Sequence, residues 1–436
     1  MSARRGYAML AALMALVVAV CGTIYVAVEG AGGAGGAGGT RGGSADGVRA
    51  GSARLPAATV EAGAAWTGTW SASPAEPGPP ARAQGATARS LRNVVHTSIG
   101  GTHARITLTN LYGQRPLVVG AASIAVREAG AAAVPGTLRR VTFAGSTRVT
   151  VAPGAEKVSD PVQVPVPYDG DLLVTVHTPA AAPVTRHPIA RQTSYAAAGD
   201  RTLDPGGRAY TARGTAWEHL AAVDVVNPSA RGAVVVFGDS ITDGVGSTSD
   251  TNRRWPDLLA DRLRGRGYAV LNQGIGGNCV LRDGKGQSGV GRFQRDALGR
   301  SGARTVVISL GINDILRPPH ERDARRIGDG LTALTRQAHA RGLRVVGSTL
   351  MPFGAHRRHS PELEAVRQEV NRAIRAGGVF DEVVDFDVAL RDPYAPERLL
   401  PAYDSGDGLH PNDAGYRRMA AFLDPADLEG GAPQQL

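Results

Sequence analysis

Cysteine is nearly absent from this chain. Its 436 residues hold two, and Cys21 falls in the segment read below as a targeting signal, which leaves Cys279 without an intrachain partner. A disulfide framework is thereby excluded, and stability has to come from buried apolar surface. No cysteine-protease signature surrounds Cys279, so it reads as a small buried residue. Lysine is as scarce: of the 48 cationic residues only Lys157 and Lys285 are lysines, the rest being arginine. Aromatic residues make up 5%. The net charge of +9 would suit nucleic acid, but the arginines are scattered, form no stripe and do not alternate with stacking aromatics. Nucleic acid is therefore not expected as a partner, and an arginine-rich coding bias accounts for the charge.

Long apolar runs are limited to one, which excludes a multi-span membrane protein. Arg4 and Arg5 precede an apolar stretch from Tyr7 to Val28, the order of a signal peptide or signal anchor over residues 1–29. Secretion, or retention on the outer face of the membrane by this segment, is the expected localisation. Cys21 is not read as a lipidation site, because Val20 stands where a small residue is wanted. Residues 30–58 are Gly, Ala, Arg and Ser with almost no large apolar side chain, too little to bury a core, and read as a flexible linker.

What remains is 42% apolar over the whole chain and long enough for two domains. From 59 to 229 short β-like runs recur at spacings near ten residues, broken by Gly and Pro. Examples are Ala104 to Asn110, Leu117 to Val126, Val149 to Val151, Val162 to Val166 and Leu172 to His177. They predict an antiparallel sandwich or jelly-roll-like accessory domain. Trp66 and Trp70 read as plugs of a core or interface, and His96, His103, His177 and His187 as structural. From 230 to 424 the pattern becomes strand followed by helix: Ala233 to Phe237, Tyr268 to Leu271, Thr305 to Leu310, Leu343 to Ser348 and Glu382 to Phe386 are the strands. Continuous apolar strands alternating with helices predict a doubly wound parallel sheet with helices on both faces, an α/β fold. Residues 425–436 read as a tail.

Ligands of such a sheet bind beyond the carboxyl ends of its strands. There the sequence places Gly238-Asp-Ser240 after the first strand, Asn272 to Asn278 with three glycines after the second, and Gly311-Ile-Asn313-Asp314 after the third. Asp407-Gly-Leu-His410 follows the last. A hydroxyl nucleophile requires a base, a group that fixes the base's tautomer, and donors for the developing oxyanion. Ser240, His410 and Asp407 fit the first three roles. The backbone N–H groups of Ser240 and Gly277 and the side-chain amide of Asn313 fit the last, with Gly274 and Gly276 as neighbouring candidates. No metal and no cofactor is called for. His356 and His359 lack a third ligand at useful spacing, His320 and His339 read as surface or helix residues, and Asp314 and Asp243 as turn or capping residues.

These four blocks resemble the SGNH (GDSL) hydrolase family, whose Ser, Gly, Asn and His match Ser240, Gly277, Asn313 and His410 over roughly residues 232–423. The resemblance implies an SGNH-type fold and a serine ester hydrolase, an esterase or lipase. The stretches Gly244 to Pro256 and Gly289 to Asp296 further resemble a branch found beside xylan-degrading enzymes, which implies an acylated carbohydrate. No Gly-x-Ser-x-Gly occurs, so the nucleophile elbow of ordinary α/β-hydrolases is missing. The expected partner is a small-molecule or polysaccharide ester, with a membrane involved only through the N-terminal segment. The rival expectations are a non-catalytic carbohydrate-binding surface protein on a hydrolase fold and, among enzymes, a lipid acylhydrolase.

Overall fold

In the computed structural model the described residues are 65–77, 88–180, 182 and 184–429. The signal segment, the linker and the end of the tail lie outside them. The described residues form one compact unit. Among the described residues no helix is long and apolar enough to cross a membrane.

The N-terminal part is antiparallel, as its alternating runs predict. One sheet orders Trp66–Ser71, Leu220–Val226, Gly101–Thr109 and Glu156–Val158, with Val162–Val166 also on the third of these. A second sheet runs from Ala212–Gly214 through Ser194–Ala198, Arg89–His96 and Asp171–Thr178 to Ala121–Ala129. Alternate residues of both, Ala104, Ile106 and Leu108 from one and Leu172, Val174 and Val176 from the other, are fully buried in one hydrophobic cluster. The second sheet is covered on its other face too, where Leu173, Val94, Ala125 and Tyr210 form a smaller cluster. That double burial explains why Leu172 to Val176 reads as a nearly continuous apolar run.

Two local expectations differ from the structure. Leu117 to Val126 is two strands, Leu117–Val119 paired with Val149–Val151, then Ala121–Ala129 in the larger sheet. The break falls at Gly120, whose N–H donates to the carbonyl of His177 as the chain changes sheets. Residues 425–428, read as tail, form a short helix that buries Leu428.

The C-terminal part is a five-stranded parallel sheet in the order Tyr268–Gly274, Gly232–Gly238, Ala303–Ser309, Arg344–Ser348, Glu382–Val384. The chain starts inside the sheet, turns to one edge and then crosses to build the other side. The connections that leave the carboxyl ends of the first and third strands therefore run to opposite sides and leave a crevice between them. Helices Ala324–His339 and Pro361–Arg375 place Ile327, Leu331, Leu334 and Val366, Val370, Ile374 in the core at helical spacing. Pro361–Arg375 begins as its sequence directs, with Ser360 capping the N–H of Leu363 and Pro361 in the first turn. Phe386, read as the end of the last strand, instead starts a helix because Asp385 caps it by accepting from Val388.

The antiparallel part packs on the edge strand Tyr268–Gly274. Val270 donates its N–H to the Ser98 hydroxyl at 3.0 Å, Gln273 bonds Ser71 and Ser73, and Leu271 lies against Gly68. An edge that would otherwise present unpaired backbone groups is thereby covered.

Candidate active site

Ser240 opens a short helix, Ser240–Asp243, at the end of the strand Gly232–Gly238. Asp239 caps it by accepting from the N–H of Ile241 at 3.0 Å, and Gly244, at φ +98°, ends it. Gly238 is required by close approach. A Cβ there would stand 2.6 Å from the carbonyl oxygen of Ser309 on the neighbouring strand and 2.2 Å from the Thr242 hydroxyl. The tight turn presents the Ser240 hydroxyl at the crevice although the residue is only 7% exposed.

His410 comes from the loop before the helix Asp413–Phe422. Its Nε2 is 2.8 Å from Ser240 Oγ and its Nδ1 2.6 Å from Asp407 Oδ2. Asp407 is held in turn: its other oxygen accepts the N–H groups of Leu409 and His410 at 3.0 and 2.8 Å. Desolvation works against the Asp407 charge, but the His410 ring and these amides outweigh it and hold the carboxyl below its usual range. Asn412 caps the helix Asp413–Phe422 and ties the loop down by donating to the carbonyls of Ala402 and Asp404.

Three donors converge beside Ser240, and none is firmly engaged among the described residues. One is the N–H of Ser240. Another is Asn313 Nδ2, which is buried beside the Asp239 carboxyl and makes no well-formed hydrogen bond. The third separates the glycine candidates: the N–H of Gly274 donates to Asn272 Oδ1 at 2.9 Å and that of Gly276 to Asp243 Oδ2 at 2.8 Å, whereas that of Gly277 is unengaged. Gly277 has φ +78°, a left-handed backbone that suits glycine, and its carbonyl accepts from Arg317 Nη1 at 2.6 Å. Ser240, Gly277, Asn313 and His410 all line one open cleft of about 360 Å³, whose apolar lining is Ile189, Val245, Leu316 and Leu409.

Behind this rim lies a polar scaffold that reasoning from the sequence missed. Asp243, read as a turn residue, is buried, and its second oxygen is 2.8 Å from Nε2 of buried His187, so one carboxylate joins the antiparallel part to the Gly276 loop. Burial opposes a charge on His187, but the adjacent Asp243 outweighs it and raises the His187 pKa. Arg292 is 0% exposed and donates to the carbonyls of Gly238 and Gln273, to Asn278 Oδ1 and to Ser73 Oγ. Burial lowers its pKa to about 10, which still leaves it charged at neutral pH. Asp314 accepts the N–H groups of Val280 and Leu281 at 2.7 and 3.0 Å, fixing the end of the glycine loop, and burial raises its pKa. Asp239, fully buried beneath the site, is pushed up to about 7 by desolvation. Only the block Gly289 to Asp296 hinted at any of this, because partners such as Ser73 and His187 are far away in sequence.

Of the remaining candidates His356 lines the cleft, and those that follow stand apart from it. Trp70 packs edge-on against Trp217 at 4.9 Å, and Trp66 lies under the Arg105 guanidinium. Cys279 is buried, and burial raises its thiol to about 12. His339 pairs with Asp381, and His320 bonds the carbonyl of Ile315.

A hydroxyl, an imidazole and a carboxylate in sequence at the carboxyl edge of a 2-1-3-4-5 parallel sheet define the C-terminal part as an SGNH hydrolase fold. Residues 236–418 match the model of the GDSL-like Lipase/Acylhydrolase family. A curated relative, the uncharacterised esterase YxiM of Bacillus subtilis (strain 168), is 27% identical over 203 residues, 44% of this chain and 51% of that protein. The chain thus spans about half the length of that relative. Among solved structures, a putative acylhydrolase from Bacteroides fragilis aligns with 24% identity over 45% of this chain and 86% of its own, at a TM-score of 0.35. A carbohydrate acetylesterase from Sinorhizobium meliloti aligns with 19% identity over 43% and 94%, at 0.35.

Proposed function

We propose that this chain hydrolyses carboxylic esters through an acyl-serine intermediate. The observation that carries the reading is the 2.8 Å contact between His410 Nε2 and Ser240 Oγ beside three unengaged donors. His410 takes the hydroxyl proton as Ser240 Oγ attacks the ester carbonyl. The carbonyl oxygen becomes an oxyanion and accepts from Ser240 N, Gly277 N and Asn313 Nδ2, donors already fixed and needing no reorganisation. His410 then hands its proton to the departing alcohol, and water repeats the sequence to release the acid. Asp407 keeps the proton on Nδ1 and offsets the imidazolium charge. The acyl group is proposed to lie against Ile189, Val245, Leu316 and Leu409, the apolar part of the lining. An acylated carbohydrate is the proposed alcohol partner, and export through the N-terminal segment places the enzyme where such polymers occur.

Ser240→Ala should abolish turnover of p-nitrophenyl acetate, a loss on the order of a millionfold, with an unchanged circular dichroism spectrum. Undiminished turnover would sink the reading. Acetyl-to-palmitoyl esters run beside acetylated xylan test the acyl and alcohol parts, and the acetyl esters should be fastest. A non-catalytic glycan-binding protein would fail to react with a fluorophosphonate probe, whereas this protein should be labelled at Ser240.

A further inference from the structure

Four cationic side chains in the cleft take no part in the chemistry just described: Lys285, Arg317, Arg357 and Arg358. The same lining contains no aspartate or glutamate. Lys285 and Arg317 stand by Gly277, and Arg357 and Arg358 follow His356, whose backbone lies against Gly408 on the His410 side. The scissile bond would therefore sit between two pairs of positively charged side chains at the rim of the cleft. Arg317 and Arg358 make hydrogen bonds only to backbone carbonyls, those of Gly277 and Leu316, and none of the four forms an ion pair among the described residues. Lys285, Arg357 and Arg358 are exposed and Arg317 is half-buried; of the fully buried arginines, Arg367 is matched by Glu364 and Asp387, whereas Arg92 donates to Thr175 and to backbone carbonyls.

Unmatched like charges around a concave, partly apolar wall repel one another and raise the potential where a ligand sits. They also oppose the imidazolium that His410 must become. A negative charge on the substrate relieves both effects at once. We propose that the preferred ester carries an anionic group, a carboxylate or a phosphate, close to the scissile bond, and that Lys285, Arg317, Arg357 and Arg358 select it. This rests on the ester-hydrolase reading and narrows its alcohol to an acidic one, such as an acylated acidic sugar.

The test compares three acetyl esters of one shape: 4-acetoxybenzoate, 4-acetoxyphenyl phosphate and uncharged methyl 4-acetoxybenzoate, each rate divided by that ester's own hydroxide-catalysed rate. At low salt kcat/KM should favour at least one anionic ester over the methyl ester by about tenfold or more, and whichever is favoured identifies the anion. The preference should shrink as salt screens the cleft. Arg357→Gln together with Arg358→Gln should collapse the ratio toward one, chiefly through KM. A control pair on the antiparallel part, Arg140→Gln with Arg148→Gln, removes the same net charge away from the cleft and should leave the ratio intact. A ratio at or below one in the unaltered protein, or an equal collapse in the control pair, overturns the proposal while ester hydrolysis stands. Failure to turn over any of the three esters overturns the hydrolase reading itself.

Discussion

The two halves of this protein differ in how they hold their important residues. In the parallel half three groups at the site follow closely on strands, Ser240 after Gly232–Gly238, Gly277 after Tyr268–Gly274 and Asn313 after Ala303–Ser309, while Asp407 and His410 come from the loop before the helix Asp413–Phe422. In the antiparallel half the residues that matter to the same site, Ser73, His187 and Ile189, follow no motif and act by long-range contact. One half supplies reacting groups and the other fixes the ground they stand on. An accessory region can thus be part of a site without contributing any reacting atom.

That division can be broken by experiment. The largest effect belongs to the parallel half: Asp407→Asn leaves the Ser240 loop in place but frees the His410 tautomer, and kcat should fall on the order of 10⁴-fold in steady-state assays. Next is Asn313→Ala, which removes one oxyanion donor and should cost about a hundred- to a thousandfold in kcat with little change in KM. A KM effect alone would move Asn313 from transition-state to ground-state binding. The antiparallel half should answer more weakly in rate and more strongly in stability. His187→Ala strands the buried Asp243 carboxylate, and urea unfolding should register a loss of about 3–5 kcal/mol with roughly tenfold slower turnover. Adding Asp243→Asn should cost less than the sum of the two single changes, because they share one interaction. If His187→Ala altered neither quantity, the two halves would be independent.

The smallest effect sharpens the picture from beneath the site. The Asp239 carboxyl titrates at about 7 in the fold rather than near 3.8, so the folded state holds the proton more tightly than the unfolded one. Between those values unfolding releases a proton, and stability falls as pH rises, by at most about 1.4 kcal/mol per unit, levelling off above 7. Asp239→Asn keeps an acceptor for the N–H of Ile241 and should flatten that slope in melts from pH 4 to 8.

How much of this was legible follows the same line. The α/β order, the strand-end blocks and the juxtaposition of Ser240, Asp407 and His410 could be read because local sequence determines strand, turn and cap. Pro361–Arg375 starts where its local sequence directs, since Ser360 and Pro361 mark its start. The choice among Gly274, Gly276 and Gly277 could not be read, because it depends on which N–H the Asn272 and Asp243 carbonyl and carboxylate oxygens engage. Asp243 looked like a turn residue for the same reason: its partner His187 lies in another sheet. The break at Gly120 was hidden by an apolar alternation that runs straight through it.

The cover over the strand Tyr268–Gly274 has a bearing on how the molecule is made. Trp66–Ser71 and Ser98 leave the ribosome before the strand they protect, and Leu220–Val226 completes their sheet just ahead of Gly232. A nascent hydrolase half therefore meets a finished lid for its exposed flank as it emerges. Synthesised alone, that half would show the bare Val270 amide and Leu271 to its neighbours and should self-associate.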